Sequence, residues 1–161
     1  MTAEQKLTKS PTGLLRWVAR TPIVLFRIGL DGLLGGRFLL LTHRGRTTGL
    51  QRQVVLEVVE EDVPGGRIVV ASGWGRKSDW FQNILKTPQV DVTHRRRHYP
   101  AMAELLSAEE GYLVISRYAD RYPVAFRELG RMMIKDLPRE KDAACRSISE
   151  IIPFIALILE M

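Results

Sequence analysis

Between two apolar runs of β type, Phe38-Leu39-Leu40-Leu41 and Val54-Val55-Leu56-Glu57-Val58-Val59, the chain places Thr42-His43-Arg44-Gly45-Arg46-Thr47-Thr48-Gly49-Leu50-Gln51-Arg52. The flanking runs read as strands, and the glycines between them read as a turn. A turn of this composition can present guanidinium forks, hydroxyls and backbone N–H groups to one anion. It can equally be a solvated hairpin with charges at its tip.

A second segment narrows the choice. Ile68-Val69-Val70-Ala71-Ser72-Gly73-Trp74-Gly75 is a β run ending in small residues, which allow a ligand close to the backbone. Ser78-Asp79-Trp80-Phe81-Gln82-Asn83-Ile84 then reads as a short helix capped by Ser78 or Asp79. The N–H groups of its first turn suit a phosphate or a polar heterocycle. Trp80 and Phe81 read as walls of such a site or as core anchors.

The sequence has 161 residues and is 45% hydrophobic, which suits one folded domain, here residues 13–161 behind a loose segment at 1–12. The net charge of +6 favours an anionic ligand, nucleic acid or a membrane surface without selecting among them. Cys145 is the single cysteine, so no internal disulfide forms, and His43, His94 and His98 are too scattered to build a metal set. The polar N-terminal stretch has no signal-peptide pattern, which predicts a cytoplasmic protein. Two short helices are expected within 13–34, at 14–19 and from Pro22 to about Leu30. Their arginines and apolar faces suit packing on the domain or peripheral contact with the inner face of a membrane. No uncharged run reaches the ~20 residues that span a bilayer.

From Arg37 onward the pattern predicts strands at 37–43, 53–60, 67–72, 89–94 and 98–106, and a final buried strand at 153–159. Val63-Pro64-Gly65-Gly66 and Thr93-His94-Arg95-Arg96-Arg97-His98 read as hairpin turns. Ser107-Ala108-Glu109-Glu110 is a capping box opening a helix to about Ala119. Tyr122-Pro123 opens another to about Met133, and 136–150 reads as a loop followed by helical turns. The fold class is α+β: about six mainly antiparallel strands with flanking helices, closed or split as a barrel because closure removes edges.

Two motifs in register carry a family resemblance. Gly45-Arg46-Thr47-Thr48-Gly49-Leu50-Gln51-Arg52 resembles the pattern Gly-Arg-Lys-Ser/Thr-Gly-x-x-Arg of the deazaflavin-dependent nitroreductase family. Ala71-Ser72, followed by Trp80-Phe81-Gln82-Asn83-Ile84-Leu85-Lys86-Thr87-Pro88-Gln89-Val90, resembles its strand-to-helix segment, and the similarity extends from Phe38 to Leu106. The resemblance implies an FMN-binding split-barrel-like fold and coenzyme F420. It also implies hydride transfer from reduced F420 to a small-molecule acceptor: a quinone, a nitroaromatic or another conjugated electrophile.

By position, the resemblance implies that Arg46, Thr47, Thr48 and Arg52 hold the cofactor's phosphate- and carboxylate-bearing tail, and that Gln53, Val54, Val55 and Leu56 border the same groove. Ala71, Ser72 and Gly73 would lie beside the ring system, with Trp80, Phe81 and Asn83 framing it. Tyr118 and Tyr122 are the implied proton donors to the acceptor. Thr47 stands where the family has Lys, Trp74 follows Gly73 where many relatives have Lys, and Glu57 stands where some have Tyr. Trp74 would stack on a ring or partly fill the pocket. Glu57 would repel an anion or face solvent.

Other readings use the same residues. A non-catalytic split barrel would carry a lipid or fatty acid, and related split barrels bind FMN through similar phosphate sites. Arg95-Arg96-Arg97 beside Tyr99 could contact phosphates, but no nucleic-acid motif accompanies it, so no nucleic-acid partner is expected. No G-x-S-x-G elbow is present, and Cys145 has no neighbouring histidine in sequence. The expected state is a monomer or a homodimer.

Overall fold

The computed structural model describes residues 36–161; the segment expected to be loose at 1–12 and the helices expected at 13–34 lie outside them. Seven strands form one antiparallel sheet: β1 (Phe38–Arg44), β2 (Gln51–Glu57), β3 (Glu60–Asp62), β4 (Arg67–Ala71), β5 (Gln89–His94), β6 (Arg97–Leu105) and β7 (Phe154–Leu159). Four helices accompany them among the described residues: α1 (Asp79–Lys86), α2 (Ala108–Arg121), α3 (Pro123–Met133) and α4 (Lys141–Ile151).

The strand order is β2-β1-β5-β6-β7-β4-β3. The two outermost strands, β2 and β3, are consecutive in the chain, so the sheet must curl until its edges meet. The junction is at Val58 and Val59. The Val58 amide donates to Arg37 O beside β1 (2.7 Å), whereas the Val59 amide donates to Val69 O on β4 (2.9 Å). One continuous strand at 53–60 was expected. The change of partner at this corner divides it into β2 and β3, which makes seven strands where about six were expected.

Side-chain alternation sorts the sheet residues into two cores. Leu39, Leu41, Leu56, Ile68, Val70, Ile155 and Leu157 fill the inside of the curl together with Phe81 and Ile84 of α1. Val69, Phe154 and Ala156 point the other way, into a layer with Val114, Tyr118, Phe126, Ala144 and Ile148 of α2–α4. β4 and β7 are covered on both faces, which is why their sequences run apolar without interruption.

The capping box at Ser107 is complete, and Pro123 begins α3 as expected. The start of α1 differs from expectation: Ser78 occupies the N-cap without a side-chain cap bond. Asp79 directs its carboxylate to Arg46 instead. Phe81 is fully buried. Burial of such a ring is worth roughly 1.5–3 kcal/mol, against ~1 kcal/mol for a capping side chain. Docking onto the sheet therefore fixes α1 more strongly than its cap does. No helix among the described residues is long and apolar enough to cross a membrane.

Candidate functional site

β1 and β2 pair from Phe38↔Glu57 to Arg44↔Gln51, so the Gly45–Leu50 turn closes the hairpin at the end away from Glu57. The turn is wound tightly. The Gly45 amide donates to Leu50 O and the Gly49 amide to Gly45 O, both at 2.8 Å. Gly49 has φ +70°, a conformation that favours glycine. The Leu50 amide donates to Thr48 Oγ1 at 3.3 Å. The neighbouring amides of Thr47 and Thr48 have no acceptor among the described residues, and both residues are exposed. Two amides without an acceptor beside two hydroxyls are a donor set that suits an anion.

The two motifs separated in sequence meet here. Asn83 Oδ1 accepts from the Arg46 amide and from Arg46 Nη1, both at 3.0 Å. Arg46 Nη2 reaches Asp79 Oδ1 at 3.1 Å, and Lys86 Nζ donates to Arg46 O at 2.8 Å. Beneath them lies His43, buried at the end of β1, with Nδ1 3.2 Å from Asn83 Nδ2. Burial and then the Arg52 charge push the imidazole down to about 4, against a smaller upward pull from Asp79. His43 is therefore neutral near pH 7. The Arg46–Asp79 pair is exposed, and such pairs contribute only ~0.2–1 kcal/mol. An incoming anion can displace Asp79 at little cost.

The remaining predicted residues separate by accessibility and by face. Arg52 is exposed, while Gln53, Val54, Val55, Ala71, Gly73 and Trp80 are partly buried. Leu56, Ser72, Phe81 and Asn83 are buried and offer almost no side-chain surface. Val54 and Leu56 belong to the inner core, which puts Gln53 and Val55 on the opposite face with Glu57. Only alternate side chains of 53–56 share a face, so all four residues can border one groove only if backbone contributes. Gln53 Nε2 lies 3.4 Å from Thr42 Oγ1 across the ladder. Ser72 Oγ donates to Gly75 O (2.6 Å), and a Cβ at Gly73 would lie 2.6 Å from Met133 Sδ of α3. Trp74 is 40% exposed and does not fill an interior pocket.

At the far end of β2, Glu57 neither faces open solvent nor stands as an unpaired charge. Its Oε1 accepts from Tyr118 Oη at 2.7 Å and from Arg37 Nη2 at 2.9 Å. Burial and this bond push the Tyr118 phenol well above its ordinary range. The Tyr122 ring lies 5.4 Å from that of Tyr118, with the Arg37 and Arg121 guanidinium groups each 5.3 Å from its centroid. The Glu57 contact joins residues sixty-one apart, and nothing local in the sequence signals it. Lys86 and Asp79 were likewise missed as partners of Arg46. A hollow of about 550 Å³ at the β3–β4 and β5–β6 turns, lined by Glu61, His94, Arg97 and Tyr99 among others, shares no residue with the predicted site.

Comparison with known proteins bears on the fold and the family. A solved structure of an F420-H2 dependent reductase, FDR-A, is 22% identical, with 75% of this chain and 93% of that chain covered at a TM-score of 0.52. A protein described as a domain-swapped dimer is 21% identical, covering 85% and 99% of the two chains at 0.52. The conserved hypothetical protein Rv2991 from Mycobacterium tuberculosis is 16% identical, covering 81% and 78% at 0.56. These likenesses show a shared fold. No curated protein sequence matches significantly. The family model described as F420H(2)-dependent quinone reductase matches residues 27–128. That match spans both the β1–β2 turn and α1, and the chain belongs to the F420H(2)-dependent quinone reductase family.

Proposed function

We propose that this F420H2-dependent reductase passes a hydride to a quinone, a nitroaromatic or another conjugated electrophile, and that its cofactor lies along β2 with the anionic tail on the β1–β2 turn. The observation that carries this reading is the pair of acceptor-free amides at Thr47 and Thr48, set among two hydroxyls and exposed Arg52. This donor set fits phosphate and carboxylate groups, and it compensates for the lysine that Thr47 replaces. Arg46 adds its Nε–H and its second Nη2–H, which its contacts with Asn83 and Asp79 leave over.

From the turn to Glu57 is about 20 Å of strand at ~3.3 Å per residue. An extended cofactor anchored at the turn reaches the seam between β2 and β4, beside Ala71 and Gly73. When bound, the reduced deazaflavin supplies the hydride; the protein supplies placement. Thr47, Thr48, Arg46 and Arg52 bind. Leu56, Ser72, Phe81 and Asn83 support the walls from within. Tyr118 holds its proton on Glu57, and Tyr122, with its ring partly exposed, is the proton donor to the acceptor. Family membership favours F420 over FMN or a fatty acid as the resident ligand.

The test mixes purified protein with reduced F420 and a panel of quinones and nitroaromatics, following deazaflavin absorbance. Oxidation of F420 that depends on both protein and acceptor is expected. Tight F420 binding without oxidation by any acceptor would sink the proposed substrate class, and co-purified fatty acid with no F420 binding would favour the carrier.

A further inference from the structure

We propose that His43 is a positioning residue for the cofactor's tail site, acting through Asn83 to hold Arg46 in its binding pose; this rests on the tail lying at the β1–β2 turn. The Arg46 amide and guanidinium carry hydrogens and no lone pair, so the Asn83 atom facing both of them, at 3.0 Å each, must be the oxygen. The Asn83 amide nitrogen then faces His43 Nδ1 at 3.2 Å. That nitrogen donates, so Nδ1 must carry its lone pair and the proton must sit on Nε2.

The orientation of one buried amide is therefore fixed from both sides. Asn83 is 4% exposed and His43 is 5% exposed, so water cannot readily replace either partner. Without an acceptor at position 43 the Asn83 amine is left unsatisfied, and rotation of the amide sets donors against the donors of Arg46. The charged groups that act on the imidazole are Arg52 on β2, which opposes its protonation, and Asp79 on α1, which favours it. Burial acts with Arg52 to keep the ring in the neutral form that the amide needs.

Two measurements test this. In the unmodified protein, nitrogen NMR of the His43 ring at pH 7 should show the Nε2–H tautomer; an Nδ1–H tautomer or an imidazolium overturns the proposal. The second is a double-mutant cycle read by F420 fluorescence titration. Arg46→Ala should weaken binding by roughly tenfold or more, and His43→Leu, which keeps bulk without an acceptor, by roughly fivefold. His43→Asn, whose Oδ1 replaces the acceptor, should stay within about twofold of the unmodified protein. His43→Leu added to Arg46→Ala should cause less than about a twofold further loss. An undiminished loss in that background means that His43 only packs, and the proposal fails. If Arg46→Ala itself leaves affinity unchanged, the location of the tail is wrong, whatever the tautomer.

Discussion

Two hairpin turns of this protein look alike in sequence and behave oppositely. The β1–β2 turn carries Arg44, Arg46 and Arg52 around its glycines, and the β5–β6 turn carries Arg95, Arg96 and Arg97; each begins beside a buried histidine. At the first, His43 meets an amide, and the Thr47 and Thr48 N–H groups have no acceptor among the described residues. At the second, both ring nitrogens of His94 face acceptors, Phe38 O at 3.2 Å and Glu61 Oε2 at 2.7 Å. Glu61 also takes Arg95 Nη2 at 2.6 Å. The second turn sets both Arg95 and His94 against one carboxylate of the protein, Glu61. The first leaves donors open. Counting arginines does not separate them; following each donor to its acceptor does.

Acid should act most strongly on the first turn, through His43. His43 titrates at about 4 in the folded protein against an ordinary 6.5. The unfolded chain therefore takes up a proton between those values and the folded one does not. Stability from this group is full above pH ~6.5 and is lost as pH falls toward 4, by up to about 3 kcal/mol at ~1.4 kcal/mol per pH unit. Denaturant unfolding at a series of pH values should show the slope, and His43→Asn should flatten it.

Glu61→Ala should produce the next largest effect. It strands the Nε2 side of His94, which is 1% exposed, and releases Arg95. The expected loss is about 1–3 kcal/mol of stability with F420 affinity within about twofold. A large loss of affinity with unchanged stability would make the second turn a binding element. Backbone changes should be smaller and opposite in sign. Arg96 has φ +65° and Gly49 has φ +70°. Arg96→Gly should stabilise and Gly49→Ala destabilise, each by about 1 kcal/mol in thermal unfolding. Asp79→Asn should do least, removing the carboxylate that competes for Arg46 and tightening F420 binding by roughly twofold to fivefold.

The elements were largely legible because their signals are local. The β-type pattern located β1, β5 and β6, the Ser107 capping box opened α2, and the apolar Phe154–Leu159 run marked a buried strand. The division of 53–60 into β2 and β3 was not legible. It depends on a change of partner between successive residues at the barrel seam, the Val58 amide donating to Arg37 O and the Val59 amide to Val69 O. At the site, the residue types of the turn were readable and their partners were not. Asn83 read as a frame for the ring, whereas its amide is engaged by Arg46 and His43. Glu57 read as repelling an anion or facing solvent, whereas Arg37 and Tyr118 hold it. Such pairings join distant parts of the chain, and periodicity carries no information about them.

The central claim is that the Gly45–Leu50 turn, and not the other arginine-rich turn, receives the cofactor's anionic tail. Fluorescence titration of F420 into Arg46→Ala and Arg96→Ala proteins side by side tests it most directly. A loss of roughly tenfold or more for Arg46→Ala, with Arg96→Ala within about twofold of the unmodified protein, is the predicted result. Equal losses, or a greater loss for Arg96→Ala, would contradict it.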